Sequence, residues 1–304
     1  MKKIAFLLLL ASMALTACED FFSQTVEIDP PPYDKQLVFH LNLTDQDSAF
    51  RFVLGRNFGI LESVRFYDDY FVKGGTAELY QDGQKWLTCI PLSTDSSFVF
   101  TGVLPAPFQT GSNYEMRVGH PDFTEAIATQ TMLKALQVDS VRIKKSATSG
   151  GFGDKFDLID VFLRDEAGVQ NFYEVEITLR FPNLEFDPIT GMVDTIGYYE
   201  FNRYADGYSD PNIVVGFKGA GLISDQFFDG QAYKFQARIN ASHNQAVRVK
   251  VRHITPDYYK WSRSYEKKLG SEDNPLVEPI SIFTNITDGL GIFSLAREQS
   301  YLLE

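Results

Sequence analysis

From Lys35 onward, apolar and polar positions alternate at the two-residue period of half-buried strands. Residues 36–43 alternate over most of their length, and 50–54 and 62–67 repeat the theme. Gly74-Gly75 breaks the pattern before two further runs, 76–80 and 85–90. Between them lies Gln81-Asp82-Gly83-Gln84, where Asp-Gly supplies the positive φ of a hairpin turn. Runs at 97–101, 113–118 and 126–131 follow. Short strands at this spacing, with no helical period between them, predict an immunoglobulin-like β-sandwich over residues 35–133.

A second strand-rich domain is predicted over residues 134–304, with strands at 136–143, 156–164, 170–179, 213–217 and 231–241. Residues 183–197, with Pro188 and Gly191 inside and Pro182 just before, read as a long polar loop. Val247, Val249 and Val251 are in phase, with Arg248, Lys250 and Arg252 opposite. That strand runs into the one predicted helix: Thr255 as N-cap, Pro256 at the first helical position and Asp257 in the first turn. Tyr258, Trp261, Tyr265 and Leu269 then recur at helical spacing, and Gly270 closes the element. The tail, with Gly289-Leu290-Gly291, predicts a closing strand reached by a tight bend.

The first residues differ from the rest. Lys2 and Lys3 precede an apolar run over 4–15, too short to span a bilayer, which ends in Leu15-Thr16-Ala17-Cys18. This layout resembles a bacterial lipobox. It predicts a signal peptide at 1–17, acylation of Cys18, and a tether over 18–34 stiffened by Pro30-Pro31-Pro32. Each buried acyl methylene contributes ~0.8 kcal/mol, so several chains hold a protein durably.

The chain carries 28 basic and 40 acidic side chains, a net charge of −12. Loss of Lys2 and Lys3 with the signal leaves 26 against 40, or −14. So acidic a chain excludes nucleic acid as a partner and leaves no polybasic surface for membrane adhesion, so lipid is the membrane contact. Phe and Tyr (26 and 15 residues) make most of the aromatic content and favour strands. With Cys18 taken by lipid, Cys89 has no intramolecular partner, and its strand-like surroundings predict a buried, inert thiol.

No catalytic, metal-binding or cofactor motif is evident. Gly150-Gly151-Phe152-Gly153 lacks the Lys-Ser/Thr of a phosphate loop, and the histidines have no zinc spacing. The densest aromatic cluster, with Tyr198, Tyr199 and Tyr204, and Trp261 on the helix are the candidate contact residues. A surface hydrolase of glycans, with Glu174, Glu176 and Asp194 converging, is the alternative; an adhesin or structural lipoprotein is the third.

Asn274-Pro275, Asn285-Ile286 and Gly289-Leu290-Gly291-Ile292-Phe293, after a helix with Tyr258-Tyr259, resemble the ending of Bacteroidetes outer-membrane lipoproteins catalogued as domain-of-unknown-function family 4249. Thr287-Asp288 departs from the small residues expected there. Glu19-Asp20 also resembles the acidic signal that sends Bacteroidetes lipoproteins to the outer face of the outer membrane. The resemblance implies a lipid-anchored outer-membrane protein, facing the exterior, with a TonB-dependent receptor as partner. It implies no catalytic residues.

Overall fold

The structure, a computed structural model, describes residues 33–59, 62–149, 155–186, 193–202, 205–240, 246–271 and 280–303. Cys18, the signal and most of the tether lie outside them. Contacts divide the chain into two units, residues 1–34 with 58–63, and residues 35–57 with 64–304. Of the first, the described part holds a turn in which the Glu62 N–H donates to the Gly59 carbonyl (2.9 Å) and the Tyr33 hydroxyl donates to the Glu62 carboxylate.

The second unit carries the strands and the helix. Its first half supplies β1 (Leu37–Thr44), β2 (Ala49–Val53), β3 (Gly55–Arg56), β4 (Thr76–Gln81), β5 (Gln84–Thr88), β6 (Ile90–Pro91), β7 (Val99–Val103), β8 (Asn113–His120) and β9 (Phe123–Thr131). Next come β10 (Val138–Ser149), β11 (Lys155–Arg164), β12 (Phe172–Phe186), β13 (Val193–Asn202), β14 (Gly207–Tyr208), β15 (Val214–Val215) and β16 (Gly221–Ser224). Last are β17 (Ala232–Asn240), β18 (Ala246–Ile254), helix α1 (Pro256–Ser271) and β19 (Gly289–Leu303). The protein is mainly β and sandwich-like, as the alternation predicts. No described helix is long and apolar enough to cross a membrane.

Two small antiparallel sheets, β2-β7-β6 and β5-β4-β8-β9, enclose the front core. Phe52 sits between Phe39 and Phe100 there, at ring separations of 5.9 and 5.4 Å. The hairpin between β4 and β5 forms as predicted, with Asp82 at φ 49° and Gly83 at φ 79°. A larger sheet runs β15-β16-β12-β18-β19-β1-β3, with β13 also paired to β12. One face of this sheet meets the sheet β10-β11-β17-β14 across a rear core built on Val175, Ile177, Val249, Val251, Phe235 and Ile159. The other face carries α1, whose Tyr258 and Trp261 pack with Phe172, Leu222 and Ile254. The Thr255 hydroxyl caps the helix by accepting from the Tyr258 N–H (3.4 Å).

The chain passes from one core to the other at 133–136, where the sequence predicts a joint, yet the closing strand belongs to both. β19 pairs parallel with β1, from Leu37 opposite Gly289 to Thr44 opposite Ala296. Its Phe293 and Leu295 enter the front core, while Tyr301 and Leu303 pack against the rear one. Between them Arg297 donates to the Leu133 carbonyl (2.8 Å) and pairs with Asp45 (3.3 Å), and Gln299 donates to the Leu136 carbonyl (3.0 Å). Residues 35–133 therefore do not close their own core. Gly291 shows how close β1 comes: at φ 117°, an added Cβ would stand 1.9 Å from the Phe39 carbonyl oxygen. The Asn285 amide clamps the same strand, accepting from the Phe293 N–H (3.0 Å) and donating to its carbonyl (2.8 Å).

Two local expectations are corrected. Residues 62–67 are not a strand. They lead into a 3-10 turn at Tyr67–Tyr70, pinned by the Asp69 carboxylate on the Arg65 and Phe66 N–H groups (3.0 Å each), with Phe66 72% exposed. The loop expected at 183–197 is mostly strand, since β12 continues to Phe186 and β13 begins at Val193. The first half of β12 has no solvent face at all, because α1 covers one side and the rear core the other.

Candidate binding surface and charge cluster

The residues predicted for contact fall in different places. Tyr198 and Tyr199 lie on β13, both exposed, while Tyr204 is outside the described residues. Trp261 is a correction: at 2% exposure it belongs to the core beneath α1, ringed by Phe217, Tyr258, Tyr265 and His40 at 5.0–5.6 Å. A helical stripe facing a sheet buries its central residue first. The side chain cannot meet a partner.

The exposed apolar side chains gather on the strand pair β12–β13 instead. β18 accompanies β12 only as far as Arg180; from Phe181 on, β13 is its only neighbour among the described residues. Residues 173, 175 and 177 face the rear core, and the same side of the strand continues outward as Leu179 and Phe181. There Phe181 stacks on Tyr199 (5.4 Å, 9°), and Phe201 meets both rings edge-on at 5.8 and 5.3 Å. On the reverse side the Arg180 guanidinium lies 3.9 Å from the centre of the Tyr198 ring. Leu184, Phe186, Val193 and Ile196 are exposed beyond them. The signal for this surface lay in the aromatic run 198–201, but Pro182 and Pro188 suggested a loop and concealed its strand character.

The acids considered for hydrolysis separate. Asp194 sits far out on β13, opposite Glu185. Glu174 and Glu176 share one face of β12 and meet at Arg252 of β18, a cluster that sequence reasoning missed. One Arg252 nitrogen, Nη1, donates to both carboxylates at 2.7 Å, while Nε donates to Glu298 at 2.6 Å. The Tyr258 hydroxyl donates to the second Glu174 oxygen (3.0 Å). Burial pushes the Glu174 carboxyl above its usual range, against the pull of Arg252. Burial also opposes the Arg252 charge, yet Glu174, Glu176 and Glu298 hold it well above its ordinary value. Two oxygens each 2.7 Å from one nitrogen lie within 5.4 Å of each other (twice 2.7 Å). A retaining glycosidase holds its two carboxyls roughly 5–5.5 Å apart around the scissile bond, but here the guanidinium fills the space that bond would need. The geometry is that of a charge knot.

A second acidic group, Asp165, Asp225 and Asp229, has carboxylate oxygens within 4.8 Å of one another. Burial, then the two neighbouring acids, raises Asp225 above the usual range. The chain itself supplies the donors: Tyr173 hydroxyl and Gly230 N–H to Asp165 (2.5 and 2.8 Å), Asn171 N–H to Asp225 (2.6 Å) and Gly168 N–H to Asp229 (2.7 Å). The cluster staples two loops together. Cys89 is buried, and that burial pushes its thiol up to about 12, so it is protonated and unreactive at neutral pH.

These features define a β-sandwich protein with an exposed aromatic strand pair and an internal charge knot. The chain belongs to the family described as "Domain of unknown function (DUF4249)", whose model matches residues 23–301. No curated protein matches it. Among solved structures it is similar to the B domain of a biofilm associated protein (8% identity, 87% of this chain and 85% of that one, TM-score 0.19). It is also similar to the BSP domain of a biofilm associated protein (9% identity, 92% and 61%, TM-score 0.19).

Proposed function

We propose that the protein is a lipid-anchored, non-enzymatic binding lipoprotein of the Bacteroidetes outer membrane. In this reading acylated Cys18 holds it to the bilayer, and the β12–β13 strand pair docks a TonB-dependent receptor engaged in nutrient uptake. The observation that carries it is the outlying strand pair, where Tyr199 and Phe201 stand exposed beside half-buried Phe181 on one side and Tyr198, Leu184, Phe186 and Val193 stand exposed on the other. Exposed apolar side chains gathered on an outlying strand pair mark a protein contact. Covering one such side chain fully contributes about 1.5–3 kcal/mol. The knot at Arg252 supports binding over hydrolysis, because both acids are already engaged.

A photo-crosslinking side chain at Tyr198, in protein expressed at native level, should give an adduct with a TonB-dependent receptor. Tyr199→Ser with Phe201→Ser should abolish it. Membranes that hold the lipoprotein but yield no receptor adduct would overturn the docking reading. Radiolabelled palmitate that enters Cys18→Ser as readily as the native protein would overturn the anchor.

A further inference from the structure

On the helix side of the large sheet, next to the charge knot, lies a cavity of ≈ 180 Å³. Its polar wall includes Asn42, Glu176, Lys218, Arg252, Ser294 and Tyr258. Its apolar wall is Phe217, Ile254 and Ala296. Asn42 and Lys218, both exposed, mark the mouth.

Several polar atoms of this wall have capacity left over. Arg252 commits Nε and Nη1 to carboxylates, while Nη2 has no partner among the described residues. Among the described residues, Glu176 accepts through one oxygen only, which leaves its other oxygen without a partner there. Asn42 uses its carbonyl to accept from the Ser294 hydroxyl (2.6 Å), and its amide NH₂ has no partner among the described residues. Lys218 forms no ion pair among the described residues and lies 5.1 Å from the Phe217 ring centre. Behind the wall the Trp261 indole N–H is buried without an acceptor among the described residues, and its ring centre lies 5.0 and 5.5 Å from those of Phe217 and Tyr258. Donors and an acceptor are therefore left over side by side in one recess, bounded on another side by apolar carbon.

We infer that this cavity binds a neutral polyhydroxylated ring, the size of one sugar unit. A hydroxyl is the group that both accepts and donates, so a vicinal diol satisfies Arg252 Nη2 and the other Glu176 oxygen together. The carboxylates of Glu174, Glu176 and Glu298 offset the cations of Arg252 and Lys218, so the recess offers little net attraction to an anion. Phe217 and Ile254 receive the carbon face of the ring. Volume sets the limit: a 150 Å³ cavity takes a benzene, so ≈ 180 Å³ takes one ring and no more. The occupant is a free monosaccharide or the end unit of a glycan whose remainder leaves past Asn42 and Lys218. The site is separate from the β12–β13 surface and needs no receptor.

The test uses purified, acylated mature protein in detergent, titrated with a panel of neutral monosaccharides and a panel of neutral oligosaccharides, and with uronic acids and amino acids for comparison, while tryptophan fluorescence and calorimetric heat are followed. Saturable binding at millimolar or lower concentration is expected. Lys218→Ala and Asn42→Ala should each weaken it about tenfold, the loss of one well-placed hydrogen bond, with unchanged melting temperature. Binding of monosaccharides supports a free-sugar ligand, and binding of oligosaccharides alone supports a glycan end. No binding from either panel would overturn the inference, as would preference for uronic acids or amino acids, or binding that both variants leave unchanged. Receptor crosslinking does not enter this measurement, so its failure and a failure of docking are told apart.

Discussion

Replacing Gly291 by alanine tests whether β19 joins the two cores into one cooperative unit. The new Cβ would stand 1.9 Å from the Phe39 carbonyl oxygen and 2.8 Å from its carbon, so β1 and β19 must separate by more than 1 Å at that point. The residue must also hold φ 117°, which side-chain-bearing residues rarely adopt. Losing one or two ladder hydrogen bonds and keeping the strained backbone together cost about 3–4 kcal/mol. With a urea m-value near 3 kcal/mol/M, the midpoint should fall by about 1 M. The chain has two tryptophans, one per side. Trp86 packs in the front core against Phe108 and Tyr114 (5.5 and 5.2 Å), and Trp261 lies under α1. Urea unfolding of single-tryptophan versions, Trp86→Phe and Trp261→Phe, reads each side separately. Both should shift together, because one strand serves both. A front-core midpoint that falls while the Trp261 midpoint stays, or a shift equivalent to under about 1 kcal/mol, would refute the shared-strand argument.

Arg252→Met should destabilise by about 3–5 kcal/mol, since it leaves Glu174 buried without its cation; adding Glu174→Gln should recover much of this in urea titrations. Burial lowers the His253 pKa below its ordinary 6.5, so the unfolded chain binds the proton more readily. The His253 contribution to stability is then complete above pH 6.5 and falls as pH drops through the folded value. Melting curves between pH 7 and 5 should therefore fall less steeply for His253→Gln; equal slopes would show that this imidazole is not the source.

What the sequence made legible was local. The alternation of Leu37, Phe39, Leu41 and Leu43 and the valines of β18 announce their strands, because a half-buried strand imposes its period on the residues themselves. Thr255-Pro256-Asp257 announces α1 for the same reason, since capping chemistry is carried by neighbours. The pairing of β1 with β19 spans some 250 positions and leaves no mark on either strand beyond the glycines of 289–291. Glu174 was legible as an alternating acid, but its burial depends on α1 and on an arginine 78 positions away. Phe66 carries strand chemistry, and the short-range bonds of Asp69 override it.

β12 links these levels in one element. Its first residues are fixed between two covered faces, its middle acids are held by Arg252, and its last residues carry exposed Leu184 and Phe186 and pair with the exposed aromatics of β13. A contact surface built as the continuation of a strand has its side chains set by the pleat before a partner arrives. Ordering a flexible loop side chain costs about 0.5–1.5 kcal/mol on association, and much of that is avoided here. Phe181 and Tyr199 already stack in the free protein, so the ring geometry a partner meets is set by the same register that pairs Val175 with Val251 in the rear core.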